Sequence, residues 1–88
     1  MNKFKIIDIR HHNGITRTDG SYPDHIGSTV ELLREIKIGQ RAILGYLYDK
    51  HGNEKSGGLI TSPVIRLNDQ ENEITFSTVN SIYILKAI

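Results

Sequence analysis

The sequence predicts a small all-β domain of about six strands, folded as a barrel or as a strongly bent antiparallel sheet. Three observations lead there. The apolar residues are dominated by β-branched Ile, which suits a pleated strand better than a helix. Short apolar runs alternate with clusters of turn-forming residues at 13–14, 19–25, 49–58, 68–72 and 79–81. The first and last runs are both long and apolar, so an open sheet would expose two aggregation-prone edges. Pairing the terminal strands with each other closes a barrel and removes both.

Residues 3–12 read as the first strand, free of breakers, with the adjacent Ile6 and Ile7 marking a bulge or a strand covered on both faces. Asn13-Gly14 suits a type I′ hairpin turn, and residues 15–18 form the short return arm. Residues 19–25 hold nearly every turn-forming residue type and read as a loop. Residues 28–37 admit two readings. As a strand they place Val30, Leu32 and Ile36 on one face; as a helix they offer a Ser28/Glu31 capping box and group Leu32, Leu33 and Ile36. Strand is favoured, because so short a segment makes a marginal helix and runs directly into further β-rich sequence.

Residues 41–49 form a strand with Ala42, Leu44, Tyr46 and Tyr48 on one face and Ile43, Gly45 and Leu47 on the other. Apolar groups on both faces imply a central position or an outer face that meets a partner. Residues 59–61 and 64–67 are strand pieces broken at Pro63, which marks an edge, a bulge or a corner because proline cannot donate to a ladder. Residues 73–78 alternate cleanly, 79–81 turn the chain, and 82–88 return it. Sequential strands usually neighbour each other, so the economical topology is a meander.

A chain of 88 residues suits one domain over 1–88, with a modest core. The absence of Cys excludes disulfides and thiolate metal sites, and with charge interrupting the apolar N-terminal run at Asp8 and Arg10 it favours a soluble, cytoplasmic protein without a signal peptide. The longest uncharged apolar stretch, residues 42–48, is too short to cross a bilayer. Eleven basic and ten acidic side chains leave a net charge of +1, which counts against general nucleic-acid binding. The distribution is uneven: Lys3, Lys5, Arg10 and Arg17 face a single Asp8 near the start, against Asp69, Glu71 and Glu73 later.

In architecture the pattern resembles an SH3-like barrel, with a long polar loop after the first strand and hairpins thereafter. The resemblance stops there. The chain has no Trp and no acidic, aromatic-rich first loop, so recognition of proline-rich peptides is not implied.

The densest cluster of chemistry surrounds Asn13-Gly14. Arg10, His11, His12, Thr16 and Arg17 can supply charge and hydrogen-bond donors to an anion such as a phosphate, and Tyr46 and Tyr48 can supply stacking, with Tyr22 and Tyr83 coming near. The competing reading is a solvated hairpin tip. Adjacent His11 and His12 point to opposite faces of a strand, so metal binding is not expected, nor is a cofactor. Asp8 with a neighbouring histidine, or Asp24 with His25, is too common a pairing to imply catalysis, and no nucleophile or phosphate-loop motif appears.

The expectation is therefore a non-enzymatic binding module, sensing or sequestering a nucleotide or other phosphorylated small molecule, with a homo-oligomer as one way to complete its site. The alternative is a protein-interaction or inhibitor module that uses a Tyr/Ile strand face or an edge strand. Third is a single-stranded nucleic-acid binder.

Overall fold

Strand pairing closes on itself. In the computed structural model, which describes residues 3–88, six antiparallel strands follow one another round a barrel, and the last pairs with the first. They are β1 (Lys3–Arg10), β2 (Thr29–Leu32), β3 (Arg41–Tyr48), β4 (Gly58–Asp69), β5 (Glu73–Thr78) and β6 (Ile82–Ala87). Met1 and Asn2, where the basic N-terminal stretch begins, lie outside the described residues. Among the described residues no helix is long and apolar enough to cross a membrane.

The doubled isoleucine in β1 is a bulge. The register against β6 slips between Ile6 and Asp8, which buries Ile6 and Ile9 and turns Ile7 outward. The hairpin that follows differs from the expected type I′ turn. Among the described residues only glycines adopt positive φ, so Asn13 stays in an ordinary conformation and Gly14, at φ +91°, carries the reversal alone. The Gly14 amide donates to the His11 carbonyl (2.9 Å) and the His11 amide to the Ile15 carbonyl (2.8 Å), which makes a three-residue loop with a glycine bulge. The Asn13 side chain is committed elsewhere: its Oδ1 accepts from the Ile15 amide (3.0 Å). The return arm forms as expected, with Thr16 bridged to Arg10.

Residues 19–25 are not wholly loop. Tyr22–His25 form one helical turn, α1, with Pro23 presetting its backbone at the start. A single turn is too short to leave a periodic pattern in sequence. It forms because Tyr22 and Ile26, at its two ends, pack onto the core. Residues 28–37 contain strand and no helix, but the strand stops at Leu32. Ser28 caps nothing downstream; it is buried beside β1, and its carbonyl accepts the Ile6 amide (2.9 Å).

β4 runs unbroken through Pro63 and changes neighbours there. Its first half, up to Pro63, pairs with β3, and its second half, from Val64, pairs with β5, with a register shift on each side of the corner. Gly58 opens the strand because nothing larger fits: a Cβ there would lie 2.6 Å from the Leu44 carbonyl oxygen. The core is the inward set from all six strands, including Ile6, Ile9, Val30, Leu44, Val64 and Leu85. Phe76 stacks on Tyr83, with ring centroids 4.9 Å apart and planes 11° from parallel, and ties β5 to β6.

Candidate functional site

The hairpin gathers the expected residues, but their donors are already engaged. Asp8 accepts from Arg10 Nε (2.8 Å), Thr16 Oγ1 (2.9 Å) and the Ile9 amide (2.9 Å). Burial works to raise its pKa, and those hydrogen bonds outweigh it and hold the carboxylate below its ordinary range. Arg17 grips Asp19 through two bonds, Nε to Oδ1 (3.1 Å) and Nη2 to Oδ2 (2.7 Å). Its Nη1 donates to the Asn80 carbonyl and to Ser81 Oγ, both at 2.8 Å, and the guanidinium lies 4.2 Å over the Tyr22 ring. The Arg17 bond pulls Asp19 down to about 2. His12 Nε2 bonds the Val79 carbonyl (3.0 Å), and His11 reaches Asp19 at 3.7 Å. These contacts pin the hairpin to the β5–β6 turn. They also supply each arginine with a carboxylate from the chain itself.

Tyr46 and Tyr48, expected on one face of β3, stand in different surroundings, and the register against β2 shifts between them. Tyr46 is buried, against His25 Nδ1 through its hydroxyl, while Tyr48 stands half-exposed at the rim. Lys55 Nζ sits 3.9 Å over the Tyr46 ring. Tyr22 and Tyr83 do meet. Burial first, and the nearby Tyr22 second, push the Tyr83 hydroxyl up to about 12, so it stays a neutral donor.

A cleft emerges that the sequence did not single out. β4 outruns β5 at its beginning, so among the described residues no strand pairs with the far side of residues 58–62. The Tyr46 amide donates to the Gly57 carbonyl (2.9 Å), which marks that couple as hydrogen-bonded. Antiparallel alternation then makes Leu44–Leu59 a bonded couple and Ile43–Ile60 a non-bonded one. Ile60 therefore points both its N–H and its C=O away from β3, toward open space. That edge is one wall of a cavity of about 350 Å³, at the lower end of the range for ligand sites. Ser21, Tyr22, His25, Asn80 and Tyr83 form the opposite side, and Arg41 lines it from β3.

The electrostatics of this cleft differ from those of the hairpin. Among the described residues no carboxylate lines it. Arg41 Nη1 donates to the Thr61 carbonyl (3.2 Å), and among the described residues nothing else accepts from this guanidinium. His25 is kept neutral, since burial and then Lys55 lower its pKa. Ser62 Oγ is buried without a hydrogen-bond partner among the described residues. On the outer surface beside the cleft, Ile60 pairs with Ile43, whose carbonyl accepts the Leu33 amide (3.0 Å). Leu33, Ile43 and Ile60 thus form a cross-strand apolar row, with Leu33 57% and Ile60 62% exposed.

His25 gives a pH signature. The unfolded chain takes up this proton near 6.5, whereas the folded chain resists it. The folded state then binds fewer protons, and stability falls as pH drops below about 6.5 until the folded pKa is passed. A separate loss begins below 3.8, as Asp8, Asp19 and Asp49 are protonated. Urea midpoints measured from pH 8 to pH 3 should show both steps, and His25→Gln should lack the upper one.

Among the described residues no group of three or more potential ligands is placed to hold a metal ion. Compared with protein families, curated proteins and solved structures, the chain matches none.

Proposed function

We propose that the chain is a non-catalytic protein-interaction module that accepts an extended segment of its partner along the open edge of β4. The observation that carries this reading is Ile60, exposed on its side chain and with both backbone groups unpaired, in a strand that is otherwise part of a closed barrel. An unpaired edge is a template for another strand. The recess between this edge and α1 favours a slender segment over a second whole barrel, and the Leu33–Ile43–Ile60 row extends the contact with apolar surface.

The test is selection of a random linear peptide library on the immobilised protein, followed by Ile60→Pro. Proline removes the edge N–H and no bond to β3, so the fold persists while affinity for selected peptides falls about tenfold or more. Recovery of no peptides, or binding indifferent to Ile60→Pro, contradicts the proposal.

A second reading is favoured by Arg41 in a cleft without carboxylates: binding of a nucleotide or other phosphorylated small molecule, with Tyr22 or Tyr83 beside it. Nucleotides and cyclic nucleotides that bind only the native state raise its melting temperature, and Arg41→Gln abolishes the shift. This reading places the anion at Arg41, because Arg10 and Arg17 are already paired.

A further inference from the structure

Every arginine near the hairpin has a carboxylate from its own chain: Arg10 meets Asp8 at 2.8 Å and Arg17 meets Asp19 at 2.7 Å. The two arginines beside the β4 edge have none. Arg34 donates Nη2 and Nε to the Arg41 backbone carbonyl, at 2.6 and 3.3 Å, and Arg41 donates Nη1 to the Thr61 carbonyl. Among the described residues neither forms an ion pair. The Arg34 guanidinium is thus held on the Arg41 backbone and the Arg41 guanidinium on the Thr61 backbone, by acceptors that fix their place and leave their charge unbalanced. Among the described residues no carboxylate lines the cleft that Arg41 faces.

Resting on the edge-binding reading above, we infer that the segment docked on β4 carries a carboxylate that seats on Arg41, with Arg34 reinforcing the field. Arginine and carboxylate match as planar partners joined by paired hydrogen bonds, and a guanidinium already tethered at one nitrogen loses little freedom in forming them. Strand geometry also fixes where the acid falls. Arg41 pairs with Pro63, one residue beyond Ser62, and lies on the same outer face as Ile43 and Ile60. Residues on one face of a strand are two apart. Because β4 carries one extra residue between Ile60 and Pro63, the acid stands two or three positions from the residue opposite Ile60, before it if the docked strand runs antiparallel to β4 and after it if parallel. The residue opposite Ile60 is apolar, since it covers an exposed isoleucine.

The test uses synthetic versions of a library-selected peptide with its acid as Glu or as Gln, and with the C-terminus free or amidated, titrated against the intact protein and against Arg41→Gln. Glu→Gln weakens binding about tenfold on the wild-type protein and little on Arg41→Gln, since the pair is then already broken. If amidation reproduces the loss, the carboxylate is that of the chain terminus; if it has no effect, it is the side chain. A selected set with no acid at the stated spacing, or a Glu→Gln loss equal on both proteins, overturns the inference while leaving edge binding intact. Selected peptides insensitive to Ile60→Pro overturn the edge reading itself. Circular dichroism and melting temperature of Arg41→Gln separate lost contact from lost fold.

Discussion

Phe76→Ala is expected to remove about 3–5 kcal/mol of stability. A domain of 88 residues holds only about 4–13 kcal/mol in total, so the variant sits close to its unfolding threshold at room temperature. The reason is position as well as size. Phe76 is 1% exposed and stacked on Tyr83, at the pairing of β5 with β6. Deleting the ring opens a void that β-sheet backbones on a closed circuit cannot collapse to fill, because moving one strand strains the register of the next. Tyr83 also loses the partner that orients it at the cleft. Urea denaturation should give a large fall in midpoint, and the variant should lose cleft binding before it loses all secondary structure.

Thr78→Val is expected to cost about 1–3 kcal/mol, although the two side chains have nearly the same shape. Thr78 is buried, and its Oγ1 accepts from the Asn80 and Ser81 amides, both at 3.2 Å. Valine fills the space and leaves those two N–H groups without an acceptor, so the loss measures polar satisfaction and not packing. The consequence travels. Arg17 binds the Asn80 carbonyl and Ser81 Oγ, so loosening the β5–β6 turn loosens the hairpin docked on it and the Asn80 side of the cleft. Equal urea midpoints for Thr78→Val and the wild-type protein would contradict this account of the turn.

The barrel was legible because its evidence is local and periodic. The alternation of residues 73–78, the apolar terminal runs and the punctuation between strands all survive in the structure. Closure followed from a physical argument about exposed edges, and it is the β1–β6 ladder. What failed was local geometry that depends on distant partners. Asn13-Gly14 carries the composition of a type I′ turn, yet Asn13 spends its side chain on the Ile15 amide and leaves the positive φ to Gly14. The helical turn Tyr22–His25 exists because it packs on the core, which no four-residue pattern can announce.

The site was legible in part for the same reason. Charge density identified the hairpin residues, but charge density does not tell paired arginines from unpaired ones. Arg10 and Arg17 found Asp8 and Asp19 within the chain. Arg41 drew no notice in sequence because its neighbours there, Gln40 and Ala42, carry no charge and its surroundings come from β4 and α1. The one signal present was Pro63, read as an edge, a bulge or a corner. The strand beside it is all three in turn: it bends, shifts register and leaves residues 58–62 unpaired on one side.

The central claim is that open edge, and amide hydrogen exchange of the free protein tests it without any ligand. The account predicts that the Ile60 amide exchanges fast, while the adjacent Leu59 and the facing Leu44, bonded to each other across the ladder, are strongly protected. An Ile60 amide as protected as that of Leu44 would mean the edge is already paired, and the proposed docking site would not exist.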